Sequence, residues 1–146
     1  DGKFTGVSRF WGIDANALKA ELDVSYRYGT KLEASAKVGY HRWKTADGGE
    51  TISYNRPQWE GGANIRYMPV RPFVLEAGYE FAAGREYSNL GKLSDIHLVH
   101  LKASYAFTSW FSLYGLTDNV LNRKYDILYG MPAQGINFMF GVDLKF

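Results

Sequence analysis

The feature that most restricts this chain is a strict alternation of apolar and polar residues, renewed in one stretch after another. From Leu18 to Tyr28 the even positions are Leu18, Ala20, Leu22, Val24, Tyr26 and Tyr28, and the odd ones are Lys19, Glu21, Asp23, Ser25 and Arg27. Successive side chains of a strand point to opposite faces, so a period of two predicts a strand with one apolar and one polar face. After a turn at Gly29-Thr30 the pattern resumes with Leu32, Ala34, Ala36, Val38 and Tyr40 against Glu33, Ser35, Lys37 and His41, which makes a hairpin. Further strands are expected over Trp59 to Tyr67, Phe73 to Phe81, Val99 to Phe107, Phe111 to Thr117 and Ile136 to Phe146. An opening strand from Phe4 to Trp11, its faces blurred by Gly6 and Ser8, brings the expectation to about eight strands and no helix.

The connections alternate in length. Those at 28–32, 68–73 and 107–111 are tight, whereas 44–57, 83–94 and 122–134 are long, polar and rich in Gly and Asn. Outer-membrane barrels have this asymmetry, with short periplasmic turns and long external loops. Aromatic residues make up 16% of the chain, and they gather at strand ends. Tyr26, Tyr28, Tyr67, Phe73, Tyr105, Phe107, Trp110, Phe111 and Phe146 lie beside the short turns, and Tyr40, Trp43, Trp59, Tyr79 and Phe81 at the opposite ends. Amphipathic rings gain by lying at headgroup level, so two such belts around an aliphatic middle fit a bilayer. The expected fold is therefore an all-β, antiparallel, up-and-down transmembrane barrel with both termini in the periplasm.

Other classes fall away on simple grounds. No apolar run reaches the roughly 20 residues of a spanning helix, and a mean hydropathy of -0.29 suits a barrel whose strands are apolar on one face only. A net charge of +2, spread along the chain, gives no footprint for nucleic acid. Zero Cys excludes a thiolate nucleophile or ligand. His97 and His100, three apart on a strand, face opposite ways, and Glu76 and Glu80 stand about 13 Å apart, too far for a glycosidase pair. The two glutamates are expected to join lumen ion pairs with Lys37, Arg66 or Lys102, and the histidines, His41 included, to be polar residues of the lumen or loops. No catalytic site, cofactor or metal is expected. Alternation alone also fits a soluble ligand-binding β-barrel with the apolar face inward.

The segment 108–146, TSWFSLYGLTDNVLNRKYDILYGMPAQGINFMFGVDLKF, resembles the last two strands of TonB-dependent outer-membrane receptors. The family's N-x-x-N-x-x-Y loop, P-x-x-G turn and terminal aromatic fall on Asn119, Asn122, Tyr125, Pro132, Gly135 and Phe146. NRPQWEGGANIRYMPVRPFVLEAGYEFAAGREY is similar to forms common in Bacteroides-type receptors. The resemblance implies uptake of a substrate across the outer membrane, and Phe146 as the insertion signal read by the barrel assembly machinery. It implies ligand contacts in the long loops, for which Trp43, Tyr54, Arg56, Arg85, Tyr87, Tyr125 and Tyr129 are the candidates. Lys19, Glu21, Glu33, Lys37, Glu76 and Glu80 are expected to form a polar network in the lumen. Such receptors have about 22 strands around a plug. No plug domain is seen in residues 1–146, which read as a single barrel region. The remaining partners implied are outer-membrane lipid, the plug and other strands of a receptor, and the energy-coupling TonB protein. The alternative is a self-contained eight-stranded outer-membrane barrel with an anchoring role.

Overall fold

The computed structural model describes residues 2–14, 17–43, 57–85 and 91–145. They form β1 (Lys3–Asp14), β2 (Ala17–Tyr28), β3 (Leu32–Trp43), β4 (Trp59–Val70), β5 (Phe73–Ala83), β6 (Ile96–Ala106), β7 (Phe111–Asp118), β8 (Asp126–Leu128), β9 (Met131–Pro132) and β10 (Asn137–Leu144). No helix occurs among the described residues. Eight strands make one sheet in the order β1-β2-β3-β4-β5-β6-β7-β10, every neighbouring pair antiparallel. The protein is thus all-β with up-and-down topology, as the alternation predicts.

Three details depart from the sequence expectation. β8 and β9 form a separate ribbon inside the long connection that leads to β10; at three and two residues they are too short to show a period. β1 runs longer than Phe4 to Trp11, and its register with β2 shifts between Phe4 and Gly6. One extra residue there moves the pairing of all that follows by one, so no single register describes this strand. Finally, β1 and β2 are joined across residues 15–16 alone, at the end where the other connections are long. A second register shift, between Tyr67 and Val70, falls on Pro69, which has no N–H for the ladder.

The register fixes the inclination of the strands. Arg27, Glu33, Arg66, Glu76, Lys102 and Leu116 share one hydrogen-bonded row. That row lies three residues from the β2–β3 turn centre at Thr30, five from Arg71 and seven from Ser109. With the three turns at one rim, the rows therefore climb one residue per strand. A climb of about 3.3 Å for each 4.8 Å step sideways inclines the strands by about 35°, the tilt of a barrel wall.

The apolar face is not covered by protein. Among the described residues Leu93 is the only buried hydrophobic side chain. Mid-strand Ile65 and Leu101 are 49% and 45% exposed, and Phe140 is 82% exposed. The rings of Tyr105, Phe107, Phe111 and Trp110 follow one another at the short-turn end, with centroids 4.8, 5.4 and 5.8 Å apart. Tyr40 and Trp59 pair at 4.6 Å at the other end. In water such a face would be a large exposed apolar patch, which monomeric soluble proteins avoid. The soluble-barrel alternative, which places this face in a core, has no counterpart here.

Rings also brace the β7–β10 pair on both faces. Phe140 lies over Gly115, where a Cβ would come within 3.1 Å of its ring, and Tyr114 covers Gly141, where a Cβ would collide with the phenol. The outer edges of β1 and β10 have no strand partner among the described residues.

Candidate functional site

The polar face holds the chemistry. Along the row already described, charges alternate strand by strand: Arg27, Glu33, Arg66, Glu76, Lys102. Arg27 Nε lies 3.1 Å from Glu33 Oε1, Arg66 Nε 3.3 Å from Glu76 Oε1, and Lys102 Nζ 3.6 Å from Glu76 Oε2. The Lys102 ammonium also stands 5.5 Å from the centre of the Tyr114 ring. Nearer the long loops, Glu21 Oε1 receives Lys19 Nζ at 2.9 Å and Lys37 Nζ at 3.8 Å. All six residues expected in the polar network lie on this face, and Glu80 approaches His100 Nε2 at 3.9 Å rather than a lysine or arginine.

Two histidine pairs complete the network. His41 Nε2 is 3.1 Å from Glu60 Oε1, and His100 Nδ1 is 3.0 Å from Asp118 Oδ1. Sequence reading left both histidines as unassigned polar residues, because their partners come from neighbouring strands; only the cross-strand register reveals them. His97 faces the other way, with Nδ1 2.8 Å from the Tyr79 hydroxyl on the apolar side. Two concavities, of about 860 and 600 Å³, open on the polar face.

The ions of the Arg27 to Lys102 row are about half exposed, so each of these pairs contributes little and is screened by salt. Glu76→Gln leaves Arg66 and Lys102 facing each other across β5. The expected loss is about 0.5–1 kcal/mol at low ionic strength, most of it gone at about 1 M salt. Urea unfolding of the lipid-inserted protein at the two salt concentrations checks this; equal losses at both would mean that Glu76 acts by packing.

Loop residues behave differently. Arg85 is 3% exposed. Its Nη2 donates to the carbonyls of Asp126 and Ile127 at 2.9 and 2.8 Å, and its Nη1 donates to the Ser94 carbonyl at 3.3 Å. The guanidinium thereby ties the 84–95 connection to β8. Burial lowers its pKa from the usual guanidinium value, against the opposing pull of Tyr125, Asp126 and Asp95, and it remains a cation. As a ligand contact it is shielded by the carbonyls it holds.

Asn119 and Asn122 organise the next loop. Both have positive φ, 49° and 48°, a region Asn tolerates because its short side chain bonds locally. Asn119, 4% exposed, accepts from Arg123 N at 2.9 Å and donates to the carbonyls of Arg123 and Gln134 at 2.9 and 3.3 Å. Asn122 Oδ1 accepts from Ile136 N at 3.1 Å and sits where a Cβ on Gly135 would collide. The Tyr125 carbonyl accepts from Ala133 N, and its side chain lines the larger concavity. Tyr129 is exposed at the tip of the β8–β9 ribbon. Trp43 ends β3. Tyr54, Arg56, Tyr87 and Phe146 lie outside the described residues.

The sequence matches no family model and no curated protein. Two solved chains match it in structure. One is the copper transporter OprC, with a TM-score of 0.66 and 19% identity over 89% of this chain and 24% of that one. The chain thus spans about a quarter of the length of that structure. The likeness is one of fold, to the barrel of an outer-membrane protein, and it carries nothing particular to the Bacteroides-type forms expected from the sequence.

Proposed function

We propose that residues 1–146 are barrel wall of an outer-membrane uptake receptor of the TonB-dependent type, a single region without catalytic activity. The observation that carries this is the division of the sheet. Its uncovered apolar face is rimmed by rings, while the ion pairs described above lie on the concave face. A bilayer accepts the first as its contact surface and a hydrated lumen accepts the second. The fold of OprC and the Asn119, Asn122, Tyr125 pattern support the receptor reading. The two edges without strand partners among the described residues support completion by further strands, because hydrocarbon leaves no water to satisfy open backbone groups. In this reading the short turns and both chain ends face the periplasm. A plug and the energy-coupling protein act from that side, and the assembly machinery engages Phe146.

Heat-modifiable gel migration tests it. The chain alone is expected to aggregate in buffer and to show no heat-dependent shift in vesicles, while the native protein extracted from the outer membrane shows one. A folded monomer in plain buffer would sink the membrane reading. A shift from the chain alone would mean that eight strands seal by themselves.

A further inference from the structure

The larger concavity is not uniformly polar. On β6 the alternation fails at the long-loop end, where Leu98 and Ile96 occupy concave-face positions opposite Glu80 and Ala82. Tyr125, delivered by the loop that Asn119 and Arg85 fasten, lines the same space. Part of the lining is therefore aliphatic and aromatic. Beside it stand Glu80, the cross-strand neighbour of Leu98, and Glu60, which lies 3.1 Å from His41 Nε2, together with Lys37. The Lys37 ammonium points to Glu21, 3.8 Å away, whereas Glu80 is 68% exposed at its side chain and has His100 Nε2 3.9 Å away. The open concavity, about 860 Å³, has room for a small molecule.

We infer that this concavity binds an organic cation with an apolar or aromatic body, its charge met by Glu60 and Glu80 and its body by Leu98, Ile96 and Tyr125. The assignment rests on the receptor reading and adds the substrate class to it. Carboxylates beside aliphatic and aromatic side chains suit an alkylammonium ligand, since the carboxylates attract its charge while the apolar groups cover its body. A bare metal ion fits less well: among the described residues no three His, Asp or Glu side chains converge as ligands. An anion would meet two carboxylates and a lysine already drawn aside.

The test uses the native protein extracted from the outer membrane, its heat-modifiable migration confirmed first, and three matched probes: benzyltrimethylammonium, benzyl alcohol and benzoate. Ligand-observed NMR titration is expected to show the cation binding at least tenfold more tightly than benzoate, with the neutral alcohol between them. Glu80→Gln should weaken the cation about fivefold or more and leave the alcohol unchanged. Tyr125→Ala should weaken both the cation and the alcohol; its backbone carbonyl, which braces Ala133, is retained. Benzoate binding as tightly as the cation, or no saturable binding by a protein that still shows the heat-dependent shift, would overturn the inference and leave the receptor reading intact. Absence of the shift would instead count against the receptor reading and remove the site with it.

Discussion

Leu101→Arg is expected to cost about 2–4 kcal/mol in a bilayer, the penalty of a guanidinium at the midplane of a barrel's lipid face. Leu101 stands at the middle of β6 in the row Ile65, Ala77, Leu101, Thr117, Phe138, and it is 45% exposed with no protein above it. In vesicles the urea midpoint of the full-length protein should fall accordingly, and the inserted yield with it. Asn64→Arg, one position away from Ile65 on β4 but on the concave face, is the control and should stay within about 0.5 kcal/mol. Similar losses from both would mean that the two faces share one environment. That result would contradict the lipid assignment.

Asn119→Ala is expected to release the loop between β7 and β10. The substitution removes three hydrogen bonds at a buried position and leaves a non-glycine residue at φ 49° without the local bonding that makes this region tolerable for Asn. Together these amount to about 2–4 kcal/mol of local stability. Amide exchange over residues 119–136 should accelerate by two orders of magnitude or more, roughly the equivalent of 3 kcal/mol, while β2 to β5 stay protected. Asn119→Gly separates the causes: it relieves the backbone and not the lost bonds, so it should recover only about 1 kcal/mol. Complete recovery would show that the side-chain bonds carry no weight.

The fold was legible wherever period two ran unbroken. Leu18 to Tyr28 alternates without exception and is β2 to the residue at its C-terminal end. β1 was harder, because its register with β2 shifts after Phe4. The site was legible by face and not by partner. Glu76 was expected with Lys37, Arg66 or Lys102 and stands between the last two, while Lys37 turns to Glu21. His41 and Glu60 are 19 residues apart, and nothing in either strand alone announces that the register sets them 3.1 Å apart. Arg85 shows the opposite limit: a cation in a Gly-rich loop reads as a ligand contact, and only the fold reveals the carbonyls of Asp126 and Ile127 that it holds. Leu98 and Ile96, which give the concavity its apolar lining, precede Val99, where the period of two begins, so the alternation does not reach them.

The climb of one residue per strand also sets a scale of size. A strand inclined by about 35° takes up close to 5.9 Å of circumference, about 4.8 Å divided by the cosine of the tilt, so eight strands supply about 47 Å of perimeter. Closed into a ring, that perimeter would make a tube about 15 Å across between backbones, a bore that side chains fill. In a wall of about 22 strands the same eight would subtend little more than a third of the circle, curving gently around a space about 40 Å wide. On that shallow arc the row from Arg27 to Lys102 faces whatever occupies the bore instead of facing its own far side, and the hollow beneath Tyr125 stays open to incoming solutes.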